Sequence, residues 1–188
     1  MGRQAMARFD PLKVSIVGWV EVIVCDRLGR PKYVVTLARG NPAPVVPKGV
    51  LPETQVLYYF RKNVVTNAGL AEIIKLVFNL GGTPFKYLAI GTGTTSESVT
   101  DTALEAEVAR KEASVSQTTT NVEGDTALLE ATFSSQDGLS GSMEISEAGV
   151  FNAASGGVML ARKTFNPVPV NFDAGDSITI RYYIQMSR

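Results

Sequence analysis

The chain has 188 residues, of which 45% are hydrophobic and 19% charged, which is enough to bury a sizeable core in one domain or in one domain with an elaborated end. Lys plus Arg and Asp plus Glu number 18 each, so the formal net charge is zero and no basic surplus exists to make nucleic acid the main partner. With no histidine and a single cysteine, Cys25, the chain has no internal disulfide framework and is a poor candidate for a zinc or copper site.

The first predicted elements are two strands joined by a turn. Residues 14–25 are apolar at both alternating sets of positions, which indicates a strand buried on both faces or in a subunit contact. Residues 26–31 have turn composition, and residues 33–39 return as a second strand to complete a hairpin.

A proline-rich segment follows the hairpin. Four prolines and two glycines in residues 40–52 favour an extended excursion, either a linker or an arm laid over a neighbour. We favour the arm because Val45, Val46 and Leu51 are too apolar for a solvated linker. Residues 1–55 are therefore assigned to an N-terminal arm, hairpin and Pro-rich excursion, and residues 56–188 to a β-sandwich domain.

One helix is predicted, after a strand over residues 56–65. It spans about residues 67–80, is capped by Thr66 or Asn67, and ends at the glycine pair 81–82. An apolar stripe with helical spacing runs along it and is expected to pack across the sheet. The stripe consists of Leu70, Ile73, Ile74, Val77 and Phe78.

The remaining residues read as strands separated by glycine-containing turns. Strands are predicted at 85–90, 126–133, 143–151, 158–165 and 178–186, with a turn that runs into a strand at 102–114 and a turn at 166–176. In the last strand, Ile178, Ile180, Tyr182, Ile184 and Met186 are expected on one face. The pattern predicts a mainly β fold, an antiparallel β-sandwich of jelly-roll type with one inserted α-helix.

No catalytic constellation is predicted. The glycine-rich residues 91–95 (GTGTT) lack the lysine and the following helix of a phosphate-binding loop, so an exposed turn is expected. Glu144 and Glu147 fall on opposite strand faces and are expected to be solvated, while Asp173 and Asp176 read as an ordinary turn. No catalytic, cofactor-binding or metal-binding residue is therefore assigned, and the chain is not expected to be an enzyme.

Five segments, in this order and approximate spacing, resemble the structural proteins of tailed-bacteriophage virions, which serve as head decoration, head–tail or tail components. They are NVVTNAGL (63–70), YLAIGTGTT (87–95), DTALEAEVAR (101–110), EAGVFNAASGGVMLARKTFNPV (147–168) and AGDSITIRYYI (174–184). The resemblance implies a capsid decoration, or cement, protein that stabilises the particle through subunit contacts. A tail, baseplate or neck component is the alternative.

The resemblance also implies partners. These would be other virion proteins, the major capsid protein or tail proteins, and further copies of the chain, for which a trimer is one candidate order. The chain would be made in the host cytoplasm and built into the virion. No membrane partner is expected, since residues 1–10 lack a secretory apolar region and no run of about 18 apolar residues occurs.

Apolar residues outside the main strand pattern are the predicted interface anchors. A carbohydrate-binding β-sandwich module is the alternative function from another class of protein, because aromatic side chains outside the core could stack on sugars. The predicted anchors are Trp19, Val45, Val46, Leu51 and Tyr59.

Overall fold

The computed structural model describes residues 15–37, 55–58 and 63–187 of the chain, and two β-sheets account for most of them. The strands are β1 Ser15–Cys25, β2 Pro31–Leu37, β3 Gln55–Tyr58, β4 Val64–Val65, β5 Tyr87–Gly91, β6 Glu107–Glu112, β7 Ser114–Thr118, β8 Thr126–Phe133, β9 Ser142–Phe151, β10 Met159–Asn171 and β11 Ser177–Ser187. One sheet has six strands in the order β3-β2-β1-β11-β8-β7, and the other has five in the order β4-β10-β9-β5-β6. The predicted mainly β fold, a sandwich with one inserted helix, is confirmed.

The N-terminal hairpin is an integral part of the six-stranded sheet. Strand β1 pairs with β11 along its whole length, from Ser15 opposite Ser187 to Cys25 opposite Ser177. Strand β2 pairs antiparallel with β1 and parallel with β3. The sequence left open whether this hairpin joins the sandwich or wraps a neighbour, and the pairing places residues 15–37 within the sandwich.

The main core lies between the two sheets. Alternate side chains of β1 and β11 point inward and are fully buried, as their period of two requires. Side chains of β5 and β9 meet them from the other sheet. The fully buried members include Val20, Val22, Val24, Ile178, Ile180, Tyr182, Leu88, Ile90, Ile145 and Val150. Burial of each large apolar side chain contributes about 1.5–3 kcal/mol, so this layer supplies much of the driving force for folding.

The predicted alternation of β11 fails at its C-terminal end. Met186 is exposed, and the neighbouring Gln185 is buried. The Gln185 Nε2 donates to Asp125 Oδ2 at 2.7 Å, and the Met186 N–H donates to the Asp125 carbonyl at 3.0 Å. The loop before β8 therefore covers Gln185 and leaves Met186 exposed to solvent.

Strand β10 is longer than predicted and continues through residues assigned to a turn. It reaches Asn171 and includes Pro167 and Pro169. Proline is tolerated there because β4 pairs only with Ala161 and Arg162, which leaves the second half of β10 at the sheet edge. The turn that follows is short: a 3₁₀ helix over Phe172–Ala174, closed by Gly175 at a φ of 83°.

The helix, α1, spans Asn67–Val77 and lies between β4 and β5 in the chain. The Thr66 side chain caps it by accepting the Gly69 N–H at 2.9 Å, as one of the two predicted caps. Helix α1 packs on β10. Within the described residues, no helix is long and apolar enough to cross a membrane.

Candidate interaction surface

Helix α1 approaches β10 through a glycine. A Cβ atom built on Gly69 would lie 2.7 Å from the Leu160 Cα and 2.8 Å from its carbonyl oxygen, both backbone atoms. Glycine is costly within a helix, so its presence here is explained by the close approach of the two backbones. The inward face of α1 is formed by Gly69, Glu72, Ile73 and Leu76.

A buried carboxylate anchors the same inward face. The Glu72 Oε1 accepts the Thr83 N–H at 2.8 Å and the Asn152 Nδ2 at 3.2 Å, while its Oε2 pairs with Lys75 Nζ at 3.0 Å. The Thr83 hydrogen bond, followed by that of Lys75, holds the pKa of Glu72 below its usual value. These bonds hold Glu72 against the protein on the same face of the helix as Gly69 and Ile73.

The predicted packing of the apolar stripe across the sheet is wrong for four of its five residues. Ile73 is partly buried and packs against the main core. Leu70, Ile74, Val77 and Phe78 instead expose 43%, 53%, 63% and 65% of their surface. The helix has apolar residues on both faces, and Gly69 and Glu72 decide which face turns inward.

The exposed side chains extend beyond the helix. Leu80, just after it, is 65% exposed, and Val99, whose carbonyl accepts the Asn67 N–H at 2.8 Å, is 50% exposed. Contiguous exposed apolar patches mark sites of interaction with proteins, ligands or membranes. We name the six exposed residues the α1 patch: Leu70, Ile74, Val77, Phe78, Leu80 and Val99.

The helix ends before the predicted glycine pair at 81–82. The Leu80 N–H donates to the Lys75 carbonyl at 2.7 Å and the Asn79 N–H to that of Leu76 at 3.3 Å, which is a Schellman motif. Asn79 has a φ of 53° and is the non-glycine residue with positive φ among those described. Asparagine tolerates this conformation, so the chain turns at Asn79 and Leu80 stays beside the helix end.

A second cluster of charged residues lies on the outer face of the five-stranded sheet. Glu147 is fully buried, contrary to the predicted solvated state, whereas Glu144 is exposed as predicted. Two guanidinium nitrogens of Arg162 lie 2.9 Å from Glu147 Oε2, and a third binds Asp101 Oδ2 at 2.9 Å. The Gly93 and Ala106 N–H groups donate to Glu147 Oε1 at 3.1 and 2.8 Å.

The glycine-rich loop is held by the protein's own carboxylates. Glu105 Oε2 accepts the Thr94 and Thr95 N–H groups at 2.7 and 2.8 Å and the Thr95 hydroxyl at 2.9 Å. The Thr95 N–H bond is the main reason that the pKa of Glu105 is lowered. Backbone donors that could cradle an anion are thus already occupied by Glu105 and Glu147, and this cluster holds the loop in place.

Within the described residues, no group of three or more His, Cys, Asp or Glu side chains is placed to hold a metal ion.

Trp19 is the predicted interface residue that the structure describes. It lies opposite Tyr183 on the outer face of the six-stranded sheet, with ring centroids 4.9 Å apart and an interplanar angle of 7°. Both rings are partly exposed, and an interface role for Trp19 stays a prediction. The other predicted anchors, Val45, Val46, Leu51 and Tyr59, lie outside the described residues, as does the proline-rich excursion.

The sequence pattern does not predict the α1 patch, because an apolar stripe with helical spacing is also typical of a helix that packs on a core. The signal that could have revealed it is the placement of Gly69 beside Glu72 and Ile73. A glycine that lies three and four residues before other inward-facing positions indicates that its face of the helix makes close backbone contact with the sheet. Leu70 and Ile74 then point away from the sheet.

The chain was compared with models of protein families, with curated proteins and with solved structures, and none of the three comparisons gave a match. The resemblance to phage virion proteins therefore stays a prediction from the five sequence segments.

Proposed function

We propose that the chain is a structural component of a tailed-phage virion, a capsid decoration protein that stabilises the particle through contacts with neighbouring subunits. The observation that carries the proposal is the α1 patch. Three large apolar side chains of helix α1 and that of Phe78 at its C-cap are exposed to solvent, with two more beside them. Water contact at such a patch is unfavourable until a partner covers it.

The rest of the molecule suits a rigid subunit. The hairpin, the last strand and β8 form one continuous antiparallel ladder, and the loop at 91–106 is pinned by buried ion pairs. A rigid subunit loses little conformational freedom when it binds, so more of its contact energy remains as affinity. Many copies bound to one particle would add up weak contacts through multivalency.

The proposal is tested with particles of the phage that encodes the chain, prepared with and without the protein. Heads that lack it are expected to release DNA at a lower temperature than heads to which the purified chain has been added back. Heads of unchanged stability but without attached tails would favour the neck or tail alternative. Particles that are unchanged in both composition and stability would refute a virion role.

A second preparation uses the Ile74→Lys variant for add-back. Ile74 is 53% exposed, so the variant is expected to fold, and lysine is a good helix former. Reduced occupancy on particles is expected because a charge replaces an apolar contact. Val122→Lys is the matched control, since Val122 is also 53% exposed and lies in the loop before β8.

A further inference from the structure

The α1 patch carries no charge that would select an oppositely charged partner. The charged residues of helix α1 are Glu72 and Lys75, and they pair with each other at 3.0 Å. The whole chain has a formal net charge of zero, so two copies do not repel one another. An uncharged apolar face is complementary to itself, which favours a second copy of the chain as its occupant.

The exposed residues of the helix form one apolar stripe. At 3.6 residues per turn, Leu70, Ile74, Val77 and Phe78 span an arc of about 100° around the helix. This stripe is at least as wide as the seam along which two helices pack, so it is sufficient for contact with a neighbouring helix.

The exposed area agrees with a weak, reversible contact. From the exposed fractions, the α1 patch presents apolar surface on the order of 500 Å², toward the upper end of the largest patch on a typical monomer. Two such faces together bury on the order of 1,000 Å², near the lower limit for a specific interface.

We propose that two copies of the chain pair through the α1 patch, with helix α1 of one copy packed against helix α1 of the other across a two-fold axis. A two-fold contact presents the same residues from both sides, so Ile74 and Phe78 of each copy leave water together. The inference rests on the proposed function, because it names a second copy of the chain as the neighbouring subunit that binds the α1 patch.

The test is the molar mass of the purified full chain, measured by light scattering coupled to size exclusion between about 1 and 100 µM, the range expected for a contact of this size. The mass is expected to rise with concentration toward twice the chain mass of 20.1 kDa. Ile74→Lys is expected to weaken pairing at least tenfold, while Val122→Lys leaves it unchanged. A single-chain mass throughout, a mass that rises to three chains, or pairing that survives Ile74→Lys overturns the inference.

The particle experiment separates this inference from the proposed function. A chain that stays single in solution, but whose Ile74→Lys variant fails to bind particles, uses the α1 patch for another virion protein. In that case pairing is refuted and the virion role stands. A chain that pairs through the patch but is absent from particles supports the pairing and refutes the virion role.

Discussion

At the scale of single residues, Gly69 is the position where the helix has least room. Gly→Ala in an open helix stabilises by about 1 kcal/mol. Here the added Cβ would meet the Leu160 backbone at 2.7 Å, so we expect Gly69→Ala to lower the free energy of unfolding by about 1–3 kcal/mol. Urea denaturation measures the change. Ala71→Gly, at an exposed position of the same helix, should cost about 1 kcal/mol, and a stabilising Gly69→Ala would contradict the packing described.

The buried ion pair between Glu147 and Arg162 gives a second prediction at this scale. Glu147→Gln removes the charge that compensates the buried guanidinium, and the loss is expected to be on the order of 3 kcal/mol of unfolding free energy. Glu144→Gln, on the same strand but exposed, is the matched control and should change stability by less than about 0.5 kcal/mol. Equal effects of the two substitutions in thermal or urea unfolding would show that the pair is not buried in solution.

The difference between these two glutamates shows a limit of prediction from the sequence. Their spacing indicates that they fall on different strand faces, but it does not reveal what covers each face. Leu104, from the loop at 91–106, packs with Ala89, Phe151 and Met159 over the outer face of the five-stranded sheet. That loop encloses Glu147, and the sequence pattern of β9 does not predict that a loop covers this residue.

At the scale of the helix, two neighbouring isoleucines report its orientation. Ile73 packs against the core and Ile74 is 53% exposed. Ile73→Ala is therefore expected to cost about 2 kcal/mol or more, and Ile74→Ala less than about 0.5 kcal/mol in the single chain. Chemical denaturation at low protein concentration, where pairing is absent, measures both. If Ile74→Ala proves the more costly, the stripe faces the core after all.

The position of the helix was predictable, but its rotation was not. The Thr66 cap and the 3.6-residue period indicate where α1 begins and that it is a helix. The period alone leaves the rotation open, because Ile73 and Leu76 give an apolar face on one side, and Leu70, Ile74, Val77 and Phe78 give another. The choice depends on Gly69 and on the partners of Glu72, which come from distant parts of the chain.

At the scale of the whole molecule, lowered carboxylate pKa values predict a loss of stability in acid. The pKa values of Glu72 and Glu105 lie below their usual 4.5 in the folded protein. The unfolded chain therefore binds more protons as the pH falls below about 4.5, and stability that is complete above this pH is lost as the folded pKa values are passed. Thermal unfolding between about pH 7 and pH 3 should show a falling melting temperature.

The Glu105→Gln variant isolates one contribution to this pH dependence. It should melt below the parent protein at pH 7, and the difference should shrink as the pH falls below about 4.5, because the parent carboxylate is then protonated too. Glu144→Gln is again the exposed control. A difference that is constant from pH 7 to pH 3 would mean that ionisation of Glu105 does not contribute to stability.

The β-sandwich architecture was predictable from the alternation of apolar and polar residues in the strands. Which strands pair with each other in each sheet was not predictable. Alternating residues in β8 and β11 indicate one apolar face for each strand, and Leu129, Ala131 and Phe133 of β8 are buried. The pairing of β1 with β11 joins opposite ends of the chain, and each strand's pattern is equally compatible with several neighbours. The turn predicted at 166–176 begins too early for a related reason. Pro167 and Pro169 are compatible with a strand only at the edge of a sheet, and which strands lie at an edge depends on the assembled sheet.

The most direct test of the proposed capsid decoration role is immunogold electron microscopy of intact purified particles with an antibody against the chain. Gold is expected to be distributed over the head. Gold confined to the neck, tail or fibres would contradict the decoration role. Unlabelled particles that also lack the chain when dissociated, from a lysate in which the antibody detects it, would contradict a place in the virion altogether.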